Sequence, residues 1–446
     1  MDSADIREQV DLIREVFSYA ERFRGSTFVM KIDDRIVDHP DFSQHARDIA
    51  LLHKSGIRVL IVPGARGRID EVLDRYGVER RFADGIRVSD PESMDLVKMA
   101  AFDVAHRVMT ALSGHRITAV IGNWVRARSR GVLDGVDFGR TGLVDRIHVP
   151  AVVRSLEQGH IPILPCIGHN DSGDPFNLSS NELAGSAATA LNARKLFLLT
   201  PSDVMRRPEW TVPDGIDVLE DGRIFRMTPA RVAEFLDCNP DKPDREVLQT
   251  AAEVCRGGVE RAHILDGRQN GALLKEIFSN LGVGTMVFAD AYERLRPMES
   301  SDVPGILEIM QPLIAEGVLV ERSREELERH RGDYWVYAMD GVVHGCAALH
   351  RRDAETAEIA GLAVDPRYAQ LGIGAKLVDR LSEKAGTDGF RRIIVLTTRT
   401  ADWFLARGFQ DGTVSDLPEP RRRDYDASRN SRVLVKDLSP APPVAG

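Results

Sequence analysis

The sequence predicts an α/β fold arranged in two domains. Short β-branched runs alternate with longer amphipathic stretches along the first 290 residues, and a new series of strands and helices begins near residue 294. Strands that alternate with helices indicate a mainly parallel sheet covered on both faces. A chain of 446 residues is long enough for about two to three domains of ordinary size.

The first domain is expected to span residues 1–290. Apolar residues at helical spacing in residues 11–23 predict an amphipathic helix with a face that a partner subunit can cover. The predicted strands are 27–32, 59–62, 119–121, 161–164 and 195–199. The predicted helices between them include 42–53, 95–112 and 181–191.

The second domain is expected to span residues 295–438, and a flexible tail rich in Pro and Ala is expected at 439–446. The predicted strands are 294–298, 334–339, 342–349, 357–364 and 392–396. The predicted helices are 303–314, 323–331, 374–385 and 401–406.

Composition and charge exclude several classes of protein. Hydrophobic residues at 43% and charged residues at 28% are typical of a globular chain. A net charge of -9 disfavours nucleic acid as a partner. Four cysteines without a Cys-x-x-Cys pair predict neither a disulfide framework nor a zinc site, and we expect no metal cofactor. Residues 1–10 lack an apolar leader and no run is long enough to span a membrane, so we expect a cytoplasmic protein with no membrane partner.

A glycine-containing loop opens a helix of the second domain. The strand before it ends at Asp365-Pro366, and Gly372 and Gly374 lie where the next helix begins. Backbone N–H groups at such a helix start suit a pyrophosphate. Taken alone, the pattern is as typical of an ordinary glycine-rich turn.

The strand, the Gly-x-Gly loop and the run 403–409 together resemble the GCN5-related N-acetyltransferases. The resemblance implies a GCN5-related α/β domain that uses acetyl-CoA as co-substrate, with its pyrophosphate at the loop. In this chain Ala369 stands where the family usually has Arg or Gln. The residues that the resemblance assigns to acetyl-CoA are Leu362, Ala363, Val364, Gln370, Leu371, Gly372, Ile373, Gly374 and Ala375.

Three further runs, at 319–325, 395–399 and 417–431, are similar to the bacterial two-domain N-acetylglutamate synthases. This resemblance implies transfer of acetyl from acetyl-CoA to the α-amine of L-glutamate, the first step of arginine biosynthesis. Glu358 matches the family's proposed general base, and Thr397 matches the hydroxyl proposed to assist the thiolate leaving group. Without the resemblance, Glu358 is more simply a solvated strand-end carboxylate and Thr397 an ordinary strand residue.

The resemblance also implies a site for the two carboxylates of glutamate. Arg322 and Arg429 match the family's positions for these contacts, and Ser431 adds a hydroxyl donor. Arginine presents a rigid fork that suits a carboxylate, although most arginines in a charged chain are ordinary surface residues. Gly361 stands where related enzymes often carry Cys, and the run Arg421-Arg422-Arg423 has no assigned role.

The first domain resembles the amino-acid kinases at residues 27–32, 59–69 and 176–191, which implies an open parallel-sheet sandwich. Lys31 matches the family's phosphate-contacting lysine, but the loop reads Pro63-Gly64-Ala65 where a working kinase has consecutive glycines. Asn181 and Pro201 replace expected aspartates. Proline donates no N–H, so we expect an inactive domain that regulates and assembles a homo-oligomer.

The runs 263–268, 271–276 and 282–285 resemble the arginine-binding region of arginine-inhibited acetylglutamate kinases and synthases. The resemblance implies L-arginine as an effector, held by His263, Glu276, Gly282 and Gly284, although Leu281 replaces an acidic residue common in that turn. A guanidinium needs carboxylate and carbonyl acceptors. Two other functions stay open: a catalytically silent arginine-binding regulatory protein and an active acetylglutamate kinase.

Overall fold

The computed structural model describes residues 3–214, 216–278, 282–289, 293–339 and 342–438. The chain divides into two compact units, Met1–Asp290 and Ala291–Gly446. The predicted tail at 439–446 and Leu281 lie outside the described residues. Among those that are described, no helix is long and apolar enough to cross a membrane.

The first unit combines many short strands with helices of up to 20 residues. Its strands are β1 (Thr27–Ile32), β2 (Arg58–Pro63), β3 (Arg81–Ala83), β4 (Ile86–Val88), β5 (Ala119–Ile121), β6 (Val125–Ser129), β7 (Val132–Leu133), β8 (Val136–Asp137), β9 (Gly142–Ile147), β10 (Ile161–Ile163), β11 (Ile167–His169), β12 (Pro175–Asn177), β13 (Lys195–Thr200), β14 (Asp217–Val218), β15 (Ile224–Met227), β16 (Arg261–Asp266) and β17 (Thr285–Phe288). Its helices are α1 (Ser3–Arg22), α2 (Asp34–Val37), α3 (Phe42–Lys54), α4 (Arg66–Arg75), α5 (Met94–Ser113), α6 (Val149–Glu157), α7 (Ser180–Ala190), α8 (Pro229–Asp237), α9 (Arg245–Arg256) and α10 (Ala272–Phe278).

A nine-stranded sheet in the order β14-β15-β17-β16-β13-β1-β2-β10-β5 forms the centre of this unit. Every pair from β16 to β5 is parallel, whereas β16 pairs with β17 and β14 with β15 in antiparallel fashion. Alternate residues of β1 enter separate cores, since Phe28 and Met30 belong to one apolar cluster and Val29 to another. Burial on both faces explains why β1, β2 and β13 are almost continuously apolar. The predicted mainly parallel sheet is therefore confirmed.

A second sheet in this unit, in the order β12-β11-β6-β9, was not predicted from the sequence. Its strands are three to six residues long, and β6 ends in two exposed residues. Such short strands give too little alternation to identify a strand from sequence alone.

The second unit contains a seven-stranded sheet in the order β18-β19-β20-β21-β22-β24-β23. Its strands are β18 (Glu293–Pro297), β19 (Tyr334–Met339), β20 (Val342–Arg351), β21 (Thr356–Val364), β22 (Arg392–Thr397), β23 (Gln410–Asp411) and β24 (Arg432–Asp437). Its helices are α11 (Val303–Ala315), α12 (Arg324–Arg329), α13 (Ile373–Thr387), α14 (Ala401–Leu405) and α15 (Glu419–Arg423). The predicted α/β class of this unit is also confirmed.

The one parallel pair of this sheet, β21 with β22, is short. It runs from Thr356 opposite Arg392 to Ile359 opposite Val395. Strand β21 continues to Val364 and β22 to Thr397, but beyond Ile359 the two described strands no longer pair. The strands therefore separate at their carboxyl ends, and the backbone of residues 360–364 faces a gap inside the sheet.

Candidate functional site

Glu358 lies on β21 just before the two strands separate, and it is only 3% exposed. Its Oε2 accepts a hydrogen bond from Nε of Arg352 at 2.6 Å and another from Nε of Arg421 at 2.8 Å. A buried carboxylate needs such partners because the loss of hydration is costly. The simpler interpretation of Glu358 as a solvated strand-end carboxylate is therefore wrong.

Sequence reasoning missed both arginines of this group. Arg421 belongs to the Arg-Arg-Arg run that was left without a role, and it also donates from Nη1 to the carbonyl oxygen of Asp424 at 3.1 Å. Arg352 directly follows β20. Both guanidiniums contact the same oxygen of Glu358, and no described residue donates a hydrogen bond to Oε1. Among the described hydrogen bonds, Oε1 thus has no donor, whereas Oε2 has two.

Thr397 ends β22 on the other side of the gap and is 9% exposed. Its Oγ1 accepts the backbone N–H of Thr400 at 3.1 Å and lies 2.8 Å from Oγ1 of Thr400. These contacts fix the position of the hydroxyl. Its proton can be directed toward Thr400 or toward a group in the gap.

The glycine-containing loop starts at the carboxyl end of β21. A short 3-10 turn, Pro366–Leu371, leads to Gly372. This residue directly precedes α13 and has a φ of +64°. L-residues rarely adopt this left-handed conformation, so a glycine is favoured here. The side chains of Ala369 and Gln370 lie outside the part of the chain that the structure describes.

Two contacts stabilise this loop. Asp365 accepts hydrogen bonds from the backbone N–H and the guanidinium of Arg367, and Nδ1 of His344 lies 3.5 Å away. Burial of Asp365 raises its pKa, but the contacts with His344 and Arg367 outweigh burial and hold the pKa well below the usual range. A Cβ added to Gly374 would lie 3.4 Å from the ring of Trp403. The loop and the run 403–409 are therefore neighbours.

Arg322 lies beside Gly361 and Tyr334. Gly361 has a φ of +61°, and a Cβ there would lie 3.3 Å from the Tyr334 hydroxyl and 3.4 Å from Nη1 of Arg322. The register of β20 and β21 shifts near this position, as expected for a β-bulge. Burial raises the pKa of Tyr334 to about 12, against the lowering effect of Arg322. The tyrosine thus remains a neutral hydroxyl beside the guanidinium.

Arg429 is the other arginine that was predicted to bind the substrate. It lies near the connection between α11 and α12, the segment that also contains Arg322. Its Nη2 donates to the carbonyl oxygens of Gly317 and Val318 at 3.2 and 3.1 Å. Nη1 of Arg322 donates to the carbonyl of Val320 at 3.4 Å. Both guanidiniums therefore lie along residues 317–320, and a carboxylate would replace these carbonyl acceptors.

Ser431 immediately precedes β24. The hydrogen bond described for it involves its backbone and not its hydroxyl. Its carbonyl oxygen accepts the hydroxyl of Tyr425 at 3.0 Å. The predicted role of its hydroxyl as a donor stays a prediction.

The four residues predicted for arginine binding converge in the first unit. Oε1 of Glu276 lies 2.7 Å from Nδ1 of His263, and Oε2 accepts the N–H groups of Val283 and Gly284 at 2.6 and 2.9 Å. A Cβ at Gly282, where φ is +55°, would lie 2.4 Å from Oε2 of Glu276. The glycine is required because its backbone passes directly over this carboxylate.

His263 and Glu276 differ in their protonation state: the histidine is neutral and the glutamate is ionised. Burial lowers the pKa of His263 to about 4, although Glu276 opposes this shift. Burial of Glu276 raises its own pKa, but the hydrogen bonds from His263 and from the N–H groups of Gly284 and Val283 prevail and lower it to about 2. Near pH 7 a neutral imidazole therefore donates Nδ1–H to an ionised carboxylate.

We expect the first unit to lose stability as the pH falls from 7 to 5. The pKa of His263 is about 4 in the fold against an ordinary value of 6.5, so only the unfolded chain takes up its proton in this range. This difference contributes on the order of 2 kcal/mol of lost stability at pH 5. Glu276 adds nothing until the pH falls below its ordinary value, because its pKa is lowered.

The measurement is urea unfolding of the full chain at pH 7 and pH 5, with His263→Asn as the variant. Asn keeps an N–H donor for Glu276 but does not titrate, so the variant should lose less stability between the two pH values than the wild type. An identical pH dependence in both proteins would contradict the assignment.

The first unit also contains a large cavity at the kinase-like loop. It has a volume of about 1310 Å³, and its lining includes Lys31, Gly64, Ala65 and Asn181. Nζ of Lys31 pairs with Asp33 at 3.3 Å, and the N–H of Gly64 already donates to the carbonyl of Ile32 at 2.7 Å. Pro63 has no N–H, so two backbone groups of this loop are not available to a phosphate.

Two family models match the chain, one in each unit. Residues 26–220 match the amino acid kinase family, and residues 303–409 match the acetyltransferase (GNAT) family. The amino-acid acetyltransferase of Pseudomonas syringae pv. syringae is 36% identical over 442 residues, which cover 97% of this chain and 100% of that protein. The amino-acid acetyltransferase of Neisseria meningitidis serogroup B is 36% identical over 435 residues, 95% of this chain and 97% of that protein.

Solved structures of N-acetylglutamate synthase from Neisseria gonorrhoeae are also similar, at 34% identity, and cover 96% of this chain and 99% of theirs. The crystal structure complexed with coenzyme A and L-arginine aligns with a TM-score of 0.85. The crystal structure complexed with coenzyme A and N-acetyl-glutamate aligns with a TM-score of 0.61.

Proposed function

The chain belongs to the amino-acid acetyltransferase family, and on this premise we propose that it transfers acetyl from acetyl-CoA to the α-amine of L-glutamate, as N-acetylglutamate synthases do. This reaction is the first step of arginine biosynthesis. The resemblance that the sequence indicates, to acyltransferases with a kinase-like and a GCN5-related domain, is confirmed by the family membership.

The observation that carries the proposal is the buried Glu358 beside the gap between β21 and β22. On the side that faces β22, the backbone of residues 362–364 is unpaired and offers N–H and C=O groups to the amides of a pantetheine arm. The start of α13 offers backbone N–H groups to the pyrophosphate. Together these features support a path for acetyl-CoA from the loop toward Glu358.

In the proposed reaction, an ammonium must lose a proton before it can attack. Oε1 of Glu358 accepts that proton, and the free amine forms a bond to the thioester carbonyl carbon. The C–S bond then breaks, the Thr397 hydroxyl gives its proton to the thiolate of coenzyme A, and the second proton of the attacking nitrogen returns to Thr397, which leaves a neutral amide, a thiol and an unchanged hydroxyl. Arg352 and Arg421 hold Glu358 in place through Oε2.

Glutamate also brings two carboxylates to the site. We assign them to Arg322 and Arg429, because both guanidiniums lie along residues 317–320 and now contact only carbonyl oxygens of that segment among the described hydrogen bonds. A carboxylate is a stronger acceptor for a guanidinium than a carbonyl group.

Arg322→Ala and Arg429→Ala are each expected to raise the KM for glutamate by about tenfold or more, because a charge-assisted hydrogen bond contributes about 1.5–3 kcal/mol. The KM for acetyl-CoA should change little. The exposed Arg329 of α12 provides the matched control as Arg329→Ala. Equal losses for both substrates would contradict the assignment.

The test of the proposed function measures two products in parallel. Thiol release from acetyl-CoA is followed with and without L-glutamate, and ADP release from ATP is followed with N-acetylglutamate. We expect glutamate-dependent thiol release and no ADP. Release of ADP instead would favour an acetylglutamate kinase, and neither product would favour a silent regulatory protein.

We further propose that residues 295–438 carry the acetyl transfer and that residues 1–290 form an inactive kinase-like domain for regulation and homo-oligomer assembly. The loss of phosphate-binding N–H groups at Pro63 and Gly64 supports the second assignment. The four cysteines of the whole chain are free thiols, which fits a reducing compartment and supports our assignment to the cytoplasm.

L-Arginine is the effector we propose for the first domain, bound at Glu276, His263, Gly282 and Gly284. The carboxylate already uses three of its roughly four acceptor positions on His263, Val283 and Gly284. A guanidinium that binds with two N–H groups must therefore displace at least one of these donors. Binding would then be coupled to movement of His263 or of residues 282–284, which follow α10 closely.

A further inference from the structure

Three side chains of the second unit form a group that the proposed reaction does not use. His330 follows the last residue of α12, Asp333 ends the 3-10 turn Arg331–Asp333, and His350 lies on β20. One nitrogen of each imidazole and one oxygen of Asp333 lie within 4.8 Å of one another. In the part of the chain that the structure describes, no other three His, Cys, Asp or Glu residues meet this criterion.

The contacts within this group all meet at Asp333. Its Oδ2 lies 2.7 Å from Nδ1 of His350 and 3.6 Å from Nδ1 of His330. The two imidazoles approach edge to face, with ring centroids 5.6 Å apart. The His350 side chain is 14% exposed and that of His330 is 50% exposed, so the group opens to solvent on the His330 side.

The neighbouring cations are engaged elsewhere. Arg331 lies between His330 and Asp333 in the sequence, yet its Nη1 donates to Oγ of Ser300 at 3.3 Å. Arg352 donates to Glu358 at 2.6 Å. Among the described contacts, neither guanidinium forms an ion pair with Asp333, whose side-chain contacts are with the two histidines.

We propose that His330, Asp333 and His350 bind a divalent transition-metal ion, and that Zn²⁺ suits this set of donors best. Two imidazole nitrogens and one carboxylate oxygen, with water in the fourth position, match a tetrahedral zinc site of the open type. With Zn–N bonds of about 2.0–2.1 Å, such donors lie about 3.3 Å apart, so the side chains need only small rotations. The ion takes the position of the proton between His350 and Asp333, and the neutral His350 ring then carries its proton on Nε2.

The sequence did not indicate the site because its two histidines are 20 positions apart, and a search for paired cysteines cannot find them.

The ion is a ligand of this enzyme and not a participant in acetyl transfer. His350 is the cross-strand partner of Glu358 in the pairing of β20 with β21. A doubly charged ion at His350 adds positive charge next to a carboxylate that already contacts two guanidiniums. We therefore expect Zn²⁺ to slow acetyl transfer, an expectation that rests on the proposed function.

The experiment is calorimetric titration of ZnCl₂ into the EDTA-treated full chain, prepared without a histidine tag. The visible absorption of Co²⁺ in the same protein reports tetrahedral coordination. The variant is His330→Ala, because His330 is half exposed and lies outside the catalytic group. The control is His39→Ala, which removes a histidine 3.9 Å from Asp41 in the first unit.

We expect one zinc site whose affinity falls by about tenfold or more in His330→Ala and is unchanged in His39→Ala. Equal affinity in the wild type and His330→Ala, or no heat of binding at micromolar zinc, would overturn the site. Zinc should inhibit thiol release in the wild type more than in His330→Ala, and equal inhibition would overturn the inhibitory role. If glutamate releases no thiol in any protein, the proposed function fails while calorimetry still decides the metal site.

Discussion

Glu358→Gln is expected to lower kcat by about 10²-fold or more, since a positioned general base typically contributes about 10²–10⁴-fold. The amide oxygen of Gln can still accept hydrogen bonds from Arg352 and Arg421, which keeps the local packing. The neutral amide of this variant cannot accept the proton of an ammonium. The measurement is the pH dependence of kcat at saturating acetyl-CoA and glutamate.

A nearby carboxylate provides the control for this variant. Glu355 precedes β21, is 64% exposed in its side chain and pairs with Arg391 at 3.3 Å. Glu355→Gln removes one negative charge from the same segment and should leave kcat nearly unchanged. If Glu358→Gln keeps the wild-type pH profile and most of the rate, Glu358 is not the base.

Glu276→Gln is expected to abolish the effect of L-arginine on acetyl transfer. An allosteric coupling of about 1–3 kcal/mol corresponds to a change of roughly 5- to 150-fold in affinity, and all of it should be lost. Gln has no charge for the guanidinium and only one acceptor oxygen for His263, Val283 and Gly284. The readout is the ratio of rates with and without arginine, measured alongside arginine binding by calorimetry.

At position 276, substitution by Gln tests the role of the carboxylate more specifically than substitution by Ala. Because Glu276 is buried and accepts three hydrogen bonds, Ala would leave the N–H groups of Val283 and Gly284 without an acceptor and disturb the fold. Glu253→Gln on α9 is the control, because Glu253 is exposed. An undiminished arginine response in Glu276→Gln would exclude this carboxylate as the effector site.

The sequence predicted those elements whose apolar pattern is long and regular. Strand β19 (Tyr334–Met339) begins and ends where it was predicted, because it is wholly buried and bounded by Asp333. Helix α1 begins at Ser3, eight residues before the predicted start at residue 11. Strand β24 (Arg432–Asp437) was not predicted, since two of its six residues are exposed and only half carry apolar side chains.

The candidate site was predicted less completely than the fold. Glu358 and Thr397 were identified by resemblance alone, and their burial could not be read from a single sequence. Arg352 and Arg421 lie 6 and 63 positions from Glu358, so nothing in their spacing indicates a contact. A usable signal did exist, because a carboxylate predicted inside a strand next to buried apolar residues requires a cationic partner.

The separation of β21 and β22 also affects how the second unit resists unfolding. Without ligand, this sheet has an interior strand segment, residues 360–364, that lacks a neighbour on one side. A molecule that occupies this gap binds only the folded chain, and at a concentration of about 100 times its Kd it adds roughly 2.7 kcal/mol of stability. The melting temperature of the enzyme should therefore rise with the concentration of acetyl-CoA.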